Sequence, residues 1–343
     1  MRERALGLLA CPVCGGQLEL AAAVNQDEHV MTGTLTCAGC ARAFPIRQGV
    51  PRFVEEPGEV GLEERRTAEA FGYEWTRYAE LAARYRQQFL DWLRPVTPEM
   101  FQGRTVLEGG CGKGRHTALA AGFGANHVVA MDLSHAVDAA FANTRHLENA
   151  HVVQADLNRP PVARVFDFAF SIGVLHHLPD PERGFRALVG RLVPGGAISA
   201  WVYGREGNGW IVHGVSPVRE HVTSHLPYGV LDALAGLLTL PLWLGTRLLY
   251  RPSRGTRLNA ALPYAPYLTY IADFPYREQR SIVFDHLVAP VAFYIRREDF
   301  AAWFERAGLE GVAIEHHNAN SWRGFGRLPV ADGAAAAPAG TGE

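Results

Sequence analysis

Cys11-Pro12-Val13-Cys14 and Cys37-Ala38-Gly39-Cys40 are two Cys-x-x-Cys pairs, 22 residues apart, near the start of a 343-residue chain. Four thiolates at this spacing suit a closed tetrahedral zinc site, with Gly15, Gly16 and Gly39 supplying the turns. Two disulfides are the competing use of the same residues. A site with four sulfur ligands has no open position for water or substrate, so the expected metal is structural and its binding folds the module. On that reading, Cys11→Ser or Cys37→Ser releases the metal and leaves ligand binding elsewhere near normal. The second set of reactive residues is Thr-Val-Leu-Glu-Gly-Gly-Cys-Gly-Lys-Gly-Arg-His-Thr over 105–117. Its glycines accept positive φ and leave no Cβ in the way of a nucleotide-like ligand. Glu108 at its head would repel a pyrophosphate, which argues for a ligand that carries positive charge. Lys113 in this loop is the only lysine in the chain. The third set is His176-His177, where either ring can accept a proton near neutral pH.

These groups need elements to hold them. From Thr105 onward the pattern alternates between strand and helix, which predicts a parallel sheet with helices on both faces. Predicted strands are Thr105–Glu108, His127–Met131, His151–Gln154, Phe166–Ser171 and Ala197–Tyr203, with Val312–His317 and Ser321–Arg327 finishing the sheet. Predicted helices are Lys113–Gly122, Ser134–Glu148, Pro181–Leu192, the last closed by Pro194-Gly195-Gly196, and the amphipathic stretch from Arg297 to Gly308. Asp132 ends the second strand 24 residues after Glu108, the position at which an acid meets a ribose diol in dinucleotide folds. A helix N-cap role before Ser134 is compatible with that one.

Leu107-Glu108-Gly109-Gly110-Cys111-Gly112-Lys113-Gly114 resembles the first motif of class I S-adenosylmethionine-dependent methyltransferases, which more often carry Asp at the position of Glu108. The resemblance implies an α/β fold: a Rossmann-like seven-stranded sheet, here with a small N-terminal zinc ribbon and a large helical insertion after the fifth strand. It implies S-adenosyl-L-methionine as cofactor, held by Glu108, Gly109, Gly110, Gly112 and Gly114, by Asp132 and Leu133, by Asp156 and Leu157 near the adenine, and by Ser171. The segment Phe166 to Pro181, with His176 and His177 after the strand, resembles the branch that acts on small molecules. Branches that methylate amide or base nitrogens usually have an Asn-Pro-Pro-Tyr tetrapeptide where this chain has Ser171-Ile172-Gly173-Val174. Independently, the cysteine segment through Phe44 to Pro51 resembles the zinc ribbons fused to, or working beside, methyltransferases.

The resulting division is a ribbon over 1–54, a linker with aromatic helices over 55–103, a methyltransferase domain over 104–330 and a disordered Ala/Gly/Pro tail over 331–343. Phe71, Tyr73, Trp75, Tyr78 and Tyr85 in the second segment suit packing or closure over the cofactor. The insertion, 204–290, is expected to build the acceptor pocket. Within it Leu226 to Tyr250 holds only Asp232 and Arg247 as charges, and the uncharged run Ala233–Thr246 is split by Pro241. Two short helices forming a buried lid are expected there, with a peripheral membrane or apolar-substrate contact through 226–250 as the alternative. A net charge of −2 argues against a general affinity for nucleic acid. The start of the chain lacks the pattern of a signal peptide, so a cytoplasmic enzyme is expected. The expected function is methyl transfer to a small-molecule acceptor (metabolite, lipid or saccharide), with His176 or His177 as base. The alternatives are an RNA methyltransferase gripping RNA through its ribbon and the arginines from 247 to 257, and a non-catalytic cofactor-binding partner of another enzyme.

Overall fold

A computed structural model describes residues 1–54, 61–77 and 85–330. The charged linker at 55–59, Tyr78 and the tail from 331 lie outside the described residues. The N-terminal module is an antiparallel sheet of β1 (Leu18–Gln26), β2 (His29–Cys37), β3 (Ala43–Arg47) and β4 (Val50–Pro51) in sequential order. Its hydrophobic residues are too few for a free-standing core, and Leu9, Leu18, Leu35, Phe44 and Phe53 join one buried cluster with Val153, Leu157 and Val162 of the larger domain.

The larger domain is built on β5 (Thr105–Gly109), β6 (His127–Asp132), β7 (Ala150–Gln154), β8 (Phe166–Ile172), β9 (Leu192–Tyr203), β10 (Glu310–His317) and β11 (Ser321–Arg327). They form a seven-stranded sheet in the order β10-β11-β9-β8-β5-β6-β7. All pairings from β7 to β9 are parallel, and β11 enters antiparallel beside β9. Each predicted strand is present. Val106, Leu107, Val128, Val129, Phe168 and Phe170 are buried because helices cover both faces, which is why these strands read as near-continuous apolar runs. The helices are α1 (Leu62–Arg77), α2 (Tyr85–Trp92), α3 (Arg115–Gly122), α4 (Ala136–Thr144) and α5 (Pro181–Val189), with α12 (Arg297–Arg306) packed beside the antiparallel pair. Pro194-Gly195-Gly196 does not close α5, which ends at Val189, but lies inside β9, whose first residue, Leu192, already pairs with Phe166 of β8.

The strand order reverses at β5, whose neighbours are β6 and β8, and this topological switch opens a crevice at their carboxyl ends. The insertion lies over that crevice. It consists of α6 (Ser216–His221), α7 (Tyr228–Gly245), α8 (Arg251–Ser253), α9 (Arg257–Ala261), α10 (Ala265–Ile271) and α11 (Tyr276–Val288). Pro241 does not split it as expected. α7 passes through Pro241 and continues by a wider π-helical turn, Thr246–Tyr250, into α8, an unbroken helical path of 26 residues from Tyr228 to Ser253, because a mid-helix proline removes a single amide while the facing side, Leu231, Ala235 and Thr239, stays buried. The other side is not a buried lid: Leu237, Leu240 and Leu248 are 70%, 50% and 74% exposed. By length and composition alone this helix could cross a membrane, although about a quarter of its apolar window (28%) is buried against the protein.

The ribbon is not tethered loosely. It docks on the free edge of β7: Arg52 bridges Gln154 in parallel, and Phe53 donates to Gln154 O (2.8 Å). Leu9 bridges Val162, and Ala10 donates to Pro161 O (3.0 Å). An edge strand carries unpaired backbone groups, and here the ribbon covers them. Arg2 adds bonds to the carbonyls of Leu147 (2.6 Å) and Arg145 (2.9 Å) at the end of α4.

Candidate functional site

The four cysteine sulfurs lie within 4.8 Å of one another, with Cys11 and Cys37 buried and Cys14 and Cys40 exposed. The closest approaches, Cys14 to Cys37 at 3.4 Å and Cys11 to Cys40 at 3.7 Å, are non-bonded, so the disulfide alternative is not realised. Four thiols converging on one point fit a structural zinc ion, which they would hold with no open position.

One cavity of about 370 Å³ runs from the glycine loop into the space under the insertion. The loop meets it through backbone. Gly110 sits at φ +82°, and a Cβ there would lie 2.1 Å from a Val174 methyl. Gly112, at φ +50°, would bring its Cβ to 3.1 Å from the Trp75 indole nitrogen. Neither position tolerates a side chain, and what they leave is a cradle of main-chain atoms beside Trp75. Asp132, Leu133, Asp156 and Leu157 line the same end of the cavity. Asp132 accepts from Gly112 N (2.8 Å), Ser134 N (2.9 Å) and Ser134 Oγ (2.7 Å), so the loop and the start of α4 are fastened to one carboxylate. Asp156 accepts from Asn158 N (2.8 Å) and Nδ2 (3.0 Å). These groups fit a cofactor with a donor-rich diol at Asp132.

Other expected site residues stand behind this surface. Glu108 is 1% exposed and does not line the cavity. It accepts from Thr117 Oγ1, and its second oxygen accepts no hydrogen bond, with His116 Nδ1 3.8 Å away. Burial pushes its carboxyl up to about 8. Gly109 packs under Leu157 and Leu188, Gly114 against Ala140, and Ser171 Oγ donates to Gly109 O (2.8 Å). These residues shape the loop from beneath.

The two histidines separate. His176 is fully buried and off the cavity, and Tyr203 N donates weakly to its Nδ1 (3.4 Å). His177 lines the cavity beside Phe71, and its Nδ1 lies 2.7 Å from Val291 O. A carbonyl can only accept, so Nδ1 carries the proton and Nε2 keeps its lone pair. Burial lowers its pKa, leaving the ring neutral at pH 7.

Several lining residues lie outside the cofactor motifs, some of them marked in the sequence by spacing, as Tyr264, Tyr267, Tyr270 and Arg277 are at three- and seven-residue intervals. Lys113 does line the cavity: it is buried, donates to Tyr85 Oη (3.3 Å) and lies 5.4 Å from the Trp75 ring, with burial lowering its pKa to about 8. Its isolation as the only lysine was the hint. Trp75 lines the cavity, whereas Tyr73 stacks on Tyr228 (5.0 Å) outside it. Tyr264, Tyr267 and Tyr270, at the start of and along α10, face the far chamber with Glu74 and Asp285. Asp285-His286 had one signal, a polar pair inside the apolar run from Ile282 to Val288.

A parallel sheet with a glycine-cradled, acid-flanked cavity at its switch point defines a class I S-adenosylmethionine-dependent methyltransferase fold. Residues 107–200 match the family described as "Methyltransferase domain", and residues 2–49 match "Trm112p-like protein". The chain is thus a methyltransferase-fold domain joined to a Trm112p-like ribbon. It is 37% identical over 103 residues to the tRNA U34 carboxymethyltransferase of Pseudoalteromonas translucida (strain TAC 125), covering 29% of this chain and 32% of that protein. It is 35% identical over 101 residues to the protein of that name from Proteus mirabilis (strain HI4320), covering 28% and 31%. The chain therefore spans about a third of the length of these curated relatives. A solved complex of the Haloferax volcanii Trm112 methyltransferase activator with a methyltransferase aligns at a TM-score of 0.42 and 15% identity, over 76% of this chain and 97% of that one.

These names overturn the expectation of a small-molecule acceptor with nucleic acid an unlikely partner, since the relatives of the cofactor-binding segment are named for a tRNA nucleotide. The physical reason for the error is that a net charge of −2 sums over the whole chain and does not describe its local patches. The missing tetrapeptide, for its part, speaks only about amide and base-nitrogen chemistry.

Asp132→Ala is expected to weaken S-adenosylmethionine binding by about 1.5–3 kcal/mol, the worth of hydrogen bonds to a charged group. Titration calorimetry measures this, and unchanged affinity would take Asp132 out of the site.

Proposed function

We propose that this protein transfers a methyl group from S-adenosylmethionine to a nucleoside of tRNA. The observation that carries the reading is the single cavity that continues from the glycine cradle into a chamber lined by Tyr264, Tyr267 and Tyr270, broad aromatic surface of the kind that holds a flat base. The names of the relatives and the Trm112p-like ribbon point the same way. The bound cofactor supplies a methyl already activated by its sulfonium, so the chain has to align the nucleophile, exclude water and take a proton. His177 Nε2 is suited to take that proton from an acceptor hydroxyl, and the insertion acts as the cover that selects the acceptor. A tRNA substrate implies the cytoplasm.

The test is to incubate the zinc-loaded protein with unfractionated tRNA and methyl-deuterated cofactor, then digest the RNA and weigh its nucleosides. Label in one nucleoside is expected. Label confined to material other than RNA would overturn the reading.

For phosphate contact the arginines after α7 are placed well. Arg251, Arg254 and Arg257 are exposed, and Asp273 is shared by the first two at 3.1 and 2.7 Å, leaving the group net positive. Arg254→Ala with Arg257→Ala should weaken tRNA binding and lower the slope of log affinity against log salt by about 1 for each phosphate no longer neutralised. Cofactor affinity should not move. Filter binding across a salt series that shows the wild-type slope would remove these arginines from the RNA surface.

A further inference from the structure

Two carboxyl groups in the far chamber are each half satisfied. Glu74, on α1, is 1% exposed; its Oε1 accepts from Ser281 Oγ, while Oε2 is buried without a partner. Asp285, one helical turn beyond Ser281 on α11, accepts from Tyr203 Oη through Oδ2 (2.8 Å), while Oδ1 is buried without a partner. Both residues line the cavity. Leaving a buried carboxyl oxygen unpaired is costly, and two such atoms on facing elements of one cavity wall are what a ligand would satisfy.

We infer that Glu74 Oε2 and Asp285 Oδ1 are the specificity-determining pair for the acceptor, reading the edge of a neutral ring that presents an N–H donor beside a carbonyl acceptor. The inference rests on the tRNA reading above and narrows it to nucleosides with such an edge, uridine first. The chemistry comes from putting two carboxyls in one dry wall. They cannot both ionise cheaply, so one retains a proton and donates while the other accepts. The donor is Glu74, pushed up to about 8 by burial and then by the charge of Asp285. Asp285 keeps its acceptor role because Tyr203 donates to its other oxygen. The titratable groups that bear on Asp285 from the packed elements are Tyr203, His177, His286, Glu74, Tyr267 and Tyr294. The phenols among these are raised and the histidines lowered, each first by burial, so they are neutral at pH 7; Glu74 itself also feels Arg115 and Lys113, and the Lys113 ammonium, lowered to about 8 by burial, titrates in the same range as the Glu74 proton.

The experiment is equilibrium dialysis of uridine and 3-methyluridine, whose ring donor is blocked, against the full-length zinc-loaded protein saturated with S-adenosylhomocysteine. At pH 7 uridine should bind at least about tenfold more tightly than 3-methyluridine, the factor for one hydrogen bond to a charged group. Asp285→Asn should lose that preference. Glu74→Gln, a permanent donor that keeps an oxygen for Ser281, should hold uridine nearly equally at pH 7 and pH 8.5, below the point at which the uridine ring N–H itself ionises, while the wild type binds it more weakly at the higher pH. Equal binding of the two nucleosides by the wild type, no saturable uridine binding, or a preference that survives Asp285→Asn would each overturn the inference. Discrimination by the wild type with no label reaching tRNA would support the pair while ending the tRNA reading. Label in tRNA without discrimination would do the reverse.

Discussion

Cys37→Ser, or removal of the metal by a chelator, is expected to abolish methyl transfer and to weaken S-adenosylmethionine binding at least tenfold as well. A structural zinc ion contributes about 10–16 kcal/mol to the folding of a module of this kind, as much as the whole stability of a typical domain. Taken alone, the closed thiolate site implies that the damage stays within the ribbon. The packing of the two modules extends it. Arg52 donates to Gln154 Oε1 (3.0 Å), and Gln154 Nε2 donates to Leu133 O (2.9 Å), at a residue that lines the cofactor end of the cavity. Arg52 also pairs with Asp138 on α4, the helix whose start is fastened to Asp132 through Ser134. Unfolding the ribbon would expose the β7 edge and part of the shared core at once. The measurements are metal content, thermal melting and calorimetric cofactor affinity on one preparation. A metal-free variant that binds cofactor like the wild type would break the proposed link between the modules.

Features with a regular period were mostly legible before the fold was known. The β5 glycine loop and the alternation of strands and helices set the sheet, because strands covered on both faces must be apolar and the turns between them need glycine or a cap. Asp132 and Asp156 come to the cavity wall and the four cysteines converge because strand ends and Cys-x-x-Cys turns are local features. What escaped depended on contacts distant in sequence. Nothing in Glu108 shows that Thr117 would draw it behind the loop, and nothing in His176-His177 shows which ring faces the cavity. Whether Pro241 breaks a helix depends on the packing of Leu231 and Ala235, far beyond its own turn. Glu74 and Asp285 are 211 positions apart, and only the folded insertion brings them to one wall.

His177→Gln is expected to lower the turnover number by about 10²–10⁴, the usual worth of a positioned base, while cofactor affinity stays within about twofold of wild type. Val291 O fixes the proton on Nδ1, so Nε2 is a base at pH 7 without any rearrangement. Burial lowers the pKa of His177, so the acid limb of the turnover profile should fall below the ordinary histidine value of about 6.5 and activity should be level at neutrality. The alkaline limb has a different origin. If Glu74 must stay protonated to donate to the acceptor, activity falls as pH rises through about 8, the value to which burial raises it. The sign is fixed by the role: the histidine has to lose its proton to act, and the glutamate has to keep its own. The full profile is therefore a bell whose two sides belong to different elements, the turn after β8 and helix α1. Glu74→Gln should move the alkaline side upward and leave the acid side in place, and His177→Gln should remove the acid side together with most of the rate. His176 serves as the control, because it is buried off the cavity and its replacement by Asn should cost stability without moving either limb. Turnover of labelled cofactor on tRNA between pH 5 and pH 10 gives the limbs and rates, calorimetry the cofactor affinity and thermal melting the stability of the His176 variant. A His177→Gln enzyme with wild-type turnover and an intact acid limb would assign the proton to another group.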